Sequence, residues 1–255
     1  YYGIYKEVKI YNPKEGAPIA EVFFSEEDVC TKPDYDLDKL YKAISIRKTM
    51  RGTFQSDVVS KEQIDNYIKL NTSPNVNICL VSEKEPIQKL ASLTAKGVRE
   101  AYDAKSFRSE MADYINHALS KKRIGMPTYS LKIPWFFSFF VSFGMRYFNL
   151  SPVLAKLNYK TLNSAPLHCV VSVLSDDVQN WLEAGRIAQR IMLAMQADGL
   201  QTSIAIASVF KEKSASQVKA LLEIDYLPIF LFGAGKMNGT QPVTRKSLLE
   251  EKLIG

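Results

Sequence analysis

Two adjacent stretches decide the fold: LHCVVSVL at residues 167–174 and DVQNWLEAGRIAQRIMLAMQADGL at residues 177–200. The first is a continuous apolar run, which is typical of a central β-strand buried on both faces. The second repeats apolar residues at helical spacing and predicts a helix over 177–197, with Gly199 just past its end. The apolar positions of that helix are Ala184, Ile187, Ala188, Ile191, Ala194 and Met195.

Other strands are predicted on both sides of this pair. Residues 5–24 alternate apolar and polar side chains around the turn-forming segment Asn12–Gly16, which indicates two strands. Residues 78–81 form a short apolar run typical of a buried strand. Residues 228–232 predict a last strand, and the glycines that follow predict a loop over 233–241.

Helical periodicity accounts for most of the remaining chain. A helix is expected from Leu37 through the basic stretch 47–51, ending at Gly52 and Thr53. Capping boxes predict two helix starts, and two further helices follow from spacing alone. The boxes are Ser60 with Gln63 and Ser214 with Gln217, and the two helices span about 85–103 and 107–120. Strands among longer helices, without regular βαβ alternation, predict an α+β fold: a mixed, mainly antiparallel sheet packed by helices.

Composition narrows the class of protein. The 255 residues are 46% apolar and 24% charged, which excludes general disorder. The net charge of +6 suits an anionic ligand or surface, but no long basic stripe points to nucleic acid. Three widely spaced cysteines and two histidines give neither a disulfide framework nor a zinc motif. We therefore expect a cytoplasmic protein without a bound metal.

Arg47 and Arg51 are the first candidates for binding an anion. On a helix they lie one turn apart, so both guanidinium groups can share one face and donate to the same phosphate. The alternative is that basic residues only stabilise a helix C-terminus. Thr49 offers either a hydroxyl donor or an ordinary surface side chain, and Arg245 either a further phosphate ligand or a solvated cation.

Three stretches, which follow one another along the chain in the same order as in the family, resemble the nitroreductase family. The first is AISIRKTMR at 43–51, similar to the family's helix end with spaced basic residues. The second runs from EAGR at 183–186 to ADGL at 197–200, similar to its long central helix and Gly-Leu exit. The third joins the strand 228–233 to PVTRKSLLEE at 242–251, similar to the terminal strand, glycine turn and arginine. Together they span roughly residues 37–253.

The resemblance implies an FMN-binding protein that is usually a dimer. By its pattern Arg47, Thr49, Arg51 and Arg245 would hold the flavin phosphate. The backbone at 204–207, with Ile206 and Ala207 as the binding residues, would lie against the isoalloxazine edge. The catalytic group would be the flavin itself, so no catalytic side chain is predicted.

The branch that the chain resembles most is the dormancy-associated, FMN-sequestering (Acg-type) one, in which two degenerate halves share a chain. On that basis residues 1–36 would be N-terminal strands and a linker from the end of a first half, and 37–255 a nitroreductase-like domain. The segment 70–77 departs from the usual family loop because it lacks Gln-Pro-Trp. A second wall for the flavin would then come from preceding residues, from another chain, or not at all.

The segment 133–150 is almost wholly apolar and aromatic, with Arg146 its only charge. Three interpretations stay open: a core or lid element over the flavin, a membrane-facing surface, and a membrane span interrupted by Pro134 and Gly144. His168 is expected to be a buried core histidine, and His117 an exposed helix residue.

Three functions remain open from the sequence. The first is an FMN-dependent oxidoreductase that takes hydride from NAD(P)H and reduces a nitro, quinone or similar acceptor, as a homodimer or an intrachain pseudo-dimer. The second is a non-catalytic FMN storage or sequestering protein. The third is a cofactor-free module that binds a membrane or a partner through 133–150.

Overall fold

The computed structural model describes residues 5–11, 19–24, 37–120, 122, 125–128 and 134–237. Its main sheet has four strands in the order β3 (Val76–Val81), β6 (Leu167–Val173), β8 (Leu227–Gly235) and β7 (Gln201–Ile204). All three pairings are antiparallel. The predicted α+β class with a mainly antiparallel sheet is confirmed.

Strand β6 is the centre of the molecule because all seven of its residues are buried. Its alternate side chains divide between two cores: Leu167, Cys169, Val171 and Val173 face one cluster, and Val170 faces the other. This is the pattern expected for a strand covered on both faces. Burial of each such aliphatic side chain contributes about 1.5–3 kcal/mol.

Helices cover both faces of the sheet, and small elements complete the fold. On one side lie α1 (Leu37–Ile46), α2 (Lys61–Ile68) and α7 (Val178–Ala197); on the other lie α3 (Lys84–Asp103), α6 (Ser151–Asn163) and α8 (Glu212–Leu222). The remaining elements are the hairpin of β1 (Tyr5–Ile10) and β2 (Ala20–Phe24), helix α4 (Lys105–Tyr114), the short parallel pair β4 (Ile115–Asn116) and β5 (Met126–Pro127), and helix α5 (Ser138–Tyr147).

Local signals place several helix ends as the sequence predicts. Ser60 and Gln63 form the complete capping box at the start of α2. The Asp177 side chain accepts a hydrogen bond from Asn180 N at 2.9 Å and caps α7. Gly199 follows α7 with φ of 80°, a conformation that costs glycine no Cβ clash.

Four element predictions are wrong in detail. Helix α1 ends at Ile46 rather than at Gly52, and helix α4 stops at Tyr114 rather than near 120. Ser214 is not the N-cap of α8, because the helix begins at Glu212 and its N-cap is Lys211. The Ser214 hydroxyl donates to the Lys211 carbonyl at 2.9 Å. Strand β8 continues to Gly235, so the predicted loop begins later. The turn Asn12–Gly16 lies outside the described residues.

Candidate functional site

The segment 47–51 leaves α1 and joins the edge of the main sheet. Arg47 N still donates to the Ala43 carbonyl at 2.8 Å, but Thr49 forms a parallel bridge with Thr202. Met50 N donates to the Thr202 carbonyl at 2.9 Å, which fixes the segment beside β7. The expectation that Arg47 and Arg51 share a helix face is therefore wrong. Pairing with β7 outweighs continuation of the helix.

Arg51 contacts strand β5 and interacts electrostatically with Tyr102 at the end of α3. One of its guanidinium nitrogens, Nη2, lies 3.2 Å from Met126 Sδ. Surrounding protein atoms lower the pKa of Arg51 by desolvation, although part of the side chain remains exposed, and Tyr102 acts in the opposite direction. Burial raises the pKa of Tyr102, and the charge of Arg51 partly offsets that increase. Near neutral pH the guanidinium is therefore charged and the phenol neutral.

The second predicted segment follows β7 directly. Ala205 N donates to the Leu231 carbonyl at 2.9 Å, and Ile206–Ser208 form one 3-10 turn. Ile204 and Ile206 are partly exposed. The hydroxyls of Thr202 and Ser208 are buried and have no hydrogen-bond partner among the described residues.

Gly97 of α3 lets this turn approach the helix. A Cβ built on Gly97 would lie 2.1 Å from the Ala207 carbonyl oxygen, so any other residue would force the two apart. Gly97 was missed as a site residue, as was Tyr102. A glycine inside an otherwise regular helical pattern was the available signal for the first. Nothing in the sequence pattern singles out the second.

The fold places most of the predicted flavin residues on two segments that adjoin strand β7. Arg47, Thr49 and Arg51 lie on the segment paired to β7, and Ile206 and Ala207 lie in the turn that follows β7. Arg245 lies outside the described residues.

A separate cavity of 290 Å³ lies against α7, away from this arrangement. It is lined by the loop over 72–75 and by Glu183, Arg186, Ile187 and Arg190. The loop is held in place there: the Ser73 hydroxyl hydrogen-bonds the Glu183 carboxylate, and Asn71 Nδ2 donates to the Val76 carbonyl at 2.7 Å. This is the segment that lacks Gln-Pro-Trp, and it contacts α7 and β3 as well as Leu174 and Tyr226.

The two histidines differ in burial. His168 is fully buried, with Nε2 at 2.9 Å from the Leu162 carbonyl, and desolvation lowers its pKa to about 4. The prediction of a core histidine is confirmed. His117 is exposed, but it follows β4 instead of lying in a helix, and its ring stacks on Phe139 with centroids 5.1 Å apart. Within the described part of the chain, no three metal-ligating side chains come together.

The aromatic segment is exposed rather than buried. Residues 135–137 form a 3-10 turn that leads into α5, and only Ser138 and Met145 of α5 are buried. The interpretation of this segment as core is therefore wrong, because its rings point away from the packed face. Among the described residues, no helix is long and apolar enough to cross a membrane.

Comparison with known proteins identifies the fold of the chain. No protein-family model matches the sequence, and no curated protein matches it. Among solved structures, iodotyrosine deiodinase bound to FMN and 3-iodo-L-tyrosine aligns with a TM-score of 0.52 at 13% identity, over 84% of this chain and 98% of that one. The chain has a nitroreductase-like fold.

Two further nitroreductase structures align with lower scores. An FMN-dependent nitroreductase from Clostridium difficile R20291 has a TM-score of 0.48 and 15% identity, covering 84% of this chain and 97% of its own. Nitroreductase A from Vibrio parahaemolyticus RIMD 2210633 has a TM-score of 0.48 and 15% identity, covering 84% and 75%. At these identities the similarity concerns the nitroreductase-like fold alone.

Proposed function

We propose that this chain is an FMN-binding, nitroreductase-like oxidoreductase. When bound, FMN supplies hydride-transfer chemistry, taking hydride from NAD(P)H and reducing a nitro, quinone or similar acceptor. The observation that carries the proposal is the hydrogen bond from Met50 N to the Thr202 carbonyl. It joins the arginine segment to the strand that leads into the turn at 206–208, on a fold shared with an FMN-bound protein.

The donor set suits a flavin phosphate. Arg47 and Arg51 offer planar guanidinium groups that donate two hydrogen bonds each to phosphate oxygens, at about 1.5–3 kcal/mol per charge-assisted bond. Arg51 is partly desolvated, which strengthens its attraction to an anion. Arg245 is proposed as a third phosphate ligand on the resemblance alone.

The turn at 206–208 would meet the ring system of the flavin. Backbone N–H groups of Ile206 and Ala207 would donate to the isoalloxazine edge, a role that places no demand on side-chain type. The exposed apolar side chains of Ile204 and Ile206 offer surface for a planar ring. Gly97 keeps the turn at its position on α3.

Flavin reduction tests the activity. Purified protein reconstituted with FMN should show the oxidised flavin bands in visible light, and excess NADH or NADPH without oxygen should bleach them. Addition of a quinone or nitroaromatic compound should restore the bands. A flavin that stays oxidised under both nicotinamides rules out the oxidoreductase.

Storage of FMN without turnover is the second candidate. It is favoured by the loop at 70–77, which lacks Gln-Pro-Trp and is held against α7 by Ser73 and Glu183. Slow exchange of bound FMN with labelled free FMN, together with no bleaching, supports storage. Rapid exchange contradicts it. If the protein binds no flavin at all, both flavin functions fail and the cofactor-free binding module is the function that remains.

We further propose the arrangement of halves that the resemblance implies. Residues 1–36 would end a degenerate first half, and 37–255 would form the nitroreductase-like domain of a cytoplasmic protein, paired within the chain or as a homodimer. The hairpin β1–β2 lies beside α7, since Val8 and Val22 line a hollow together with Leu182. Light scattering on the purified chain distinguishes a monomer from a homodimer.

A further inference from the structure

Helix α5 packs through one narrow face and leaves an aromatic surface outside. On the packed face, Ser138 and Met145 are buried and Ser142 Oγ donates to the Ile115 carbonyl at 3.3 Å. The outer rings are 46–68% exposed. We call them the aromatic surface: Trp135, Phe136, Phe137, Phe139, Phe140, Phe143, Tyr147 and Phe148.

The aromatic surface is continuous along the helix. Phe136, Phe140, Phe143 and Tyr147 are spaced by four, three and four residues, which aligns them in one stripe. The rings of Phe136 and Phe137 lie 4.6 Å apart, and those of Phe143 and Tyr147 lie 4.7 Å apart. Eight half-exposed rings present on the order of 800 Å² of apolar surface, above the few hundred Å² usual for a monomer.

Helix α6 adds apolar and cationic groups. Val153 and Leu157 are 60% and 55% exposed, although they are aliphatic. Lys156 and Lys160 on the same helix are also exposed. Exposed apolar side chains and free ammonium groups therefore alternate along the surface of α6.

The sequence between Tyr114 and Ser175 carries side-chain charge of one sign, while Asp103, Glu110 and Asp113 lie on the neighbouring helices α3 and α4. From Tyr114 to Ser175 the sequence contains no aspartate or glutamate, and all 27 acidic residues lie outside this run. The run contains seven basic residues, more than the chain's net excess of +6. They are Lys121, Lys122, Arg123, Lys132, Arg146, Lys156 and Lys160, of which Lys121, Arg123 and Lys132 lie outside the described residues. Arg146 pairs with Asp113 just before the run, so Lys122, Lys156 and Lys160 supply the positive charge among the described residues.

We propose that the aromatic surface docks this protein onto an anionic phospholipid bilayer. Aromatic rings are favoured at the level of lipid headgroups, and an apolar helix face enters the bilayer by about 5–10 Å. Helix α6 meets α5 through Leu154, and its exposed lysines attract anionic lipids. At about 15 Å long, α5 lies in the interface and does not cross the membrane. A second copy of the chain is a poorer occupant, because it would bring two regions of the same positive charge together.

Vesicle flotation tests the proposal with the full-length protein. Vesicles of phosphatidylcholine with about 30% phosphatidylserine should carry the protein upward, while phosphatidylcholine alone should bind at least about tenfold less, as expected for several cationic contacts. Raising the salt to 0.5 M should release most of the protein, because it screens the attraction.

Three variants identify the surface. Phe140→Ser with Phe143→Ser removes two exposed rings and should reduce binding by about tenfold or more. Lys156→Glu with Lys160→Glu reverses two exposed charges and should reduce binding to anionic vesicles by a similar factor. Phe24→Ser is the matched control, since Phe24 is 66% exposed on β2, and it should bind like the unchanged protein.

Specific outcomes would overturn the proposal. They are no flotation with either vesicle, or binding that the phenylalanine and lysine double variants both leave unchanged. A concentration-dependent dimer that Phe140→Ser with Phe143→Ser abolishes, without vesicle binding by the unchanged protein, would show that a second copy covers the surface. Each variant is checked by its thermal unfolding. The result is independent of flavin content, so the proposed function can fail without affecting it.

Discussion

His168 is a residue whose charge is constrained by its surroundings in the range of pH where proteins are studied. It is fully buried in β6, and desolvation holds its pKa at about 4 instead of the ordinary 6.5. Between these values the unfolded chain binds the proton more readily than the folded chain does. The stability that neutral His168 contributes is therefore fully present above pH 6.5. The free energy of unfolding decreases as the pH falls from 6.5 towards 4. A shift of this size corresponds to about 3 kcal/mol.

A variant that cannot titrate should remove this dependence. His168→Asn is expected to be less stable at pH 7.5, because the buried site is built around an imidazole. Between pH 6.5 and 4.5 it should lose less stability than the unchanged protein, by about 2 kcal/mol. Urea unfolding at several pH values measures the difference. Parallel pH profiles for the two proteins would show that His168 is not the group responsible.

At the scale of elements, Gly97 of α3 sets the position of the turn at 206–208. A methyl group there would meet the Ala207 carbonyl oxygen at 2.1 Å, and Ala207 belongs to the proposed flavin edge. Gly97→Ala should therefore destabilise the fold by about 2 kcal/mol or more through overpacking, and should also weaken FMN binding.

Gly185 of α7 provides the matched control. It is also a helical glycine, but nothing lies within 4 Å of a Cβ built there. Gly185→Ala should stabilise the protein by about 0.5–1 kcal/mol, because alanine favours a helix over glycine. Thermal unfolding of both variants measures the contrast. Equal effects in the two would contradict the close contact between α3 and the turn.

Elements set by local signals were predictable from the sequence, and elements set by distant contacts were not. The capping box at Ser60 and the apolar run of β6 carry their own signals. The end of α1 does not, because it depends on pairing of Met50 with Thr202, which is far away along the chain. The glycines at the end of β8 resemble a loop, yet a Cβ at Gly235 would lie 2.6 Å from Pro166 Cδ, so they allow close packing.

The aromatic segment 133–150 shows a limit of predicting burial from hydrophobicity. A helix that is apolar on nearly every side is usually buried, and this rule favoured a core position for 133–150. The structure leaves those rings exposed, because α5 packs through another face, on which Met145 meets Ala112 of α4 and Ser138 is buried. Hydrophobicity alone cannot distinguish burial in a core from burial against a partner outside the chain.

At the scale of the whole molecule, the sheet order determines which distant residues meet. Strand β7 is an edge of the order β3-β6-β8-β7, so its free side can pair with the segment after α1. Sequence resemblance supplied the candidate flavin residues Arg47, Thr49, Arg51, Ile206 and Ala207, and their role in binding stays a prediction. Their arrangement around β7, and the electrostatic interaction of Arg51 with Tyr102, required the structure.

The affinity for FMN tests the central claim, which is that the segment 47–51 beside β7 holds the flavin phosphate. Quenching of FMN fluorescence gives the dissociation constant for the unchanged protein, Arg47→Ala, Arg51→Ala and the control Lys89→Ala. Lys89 lies on α3 about 20 Å from Tyr102, by the helical rise, and pairs with Glu85. Each arginine variant should bind FMN about 10- to 100-fold more weakly, as for one lost charge-assisted contact, and Lys89→Ala should bind normally. Unchanged affinity in both arginine variants would contradict the account.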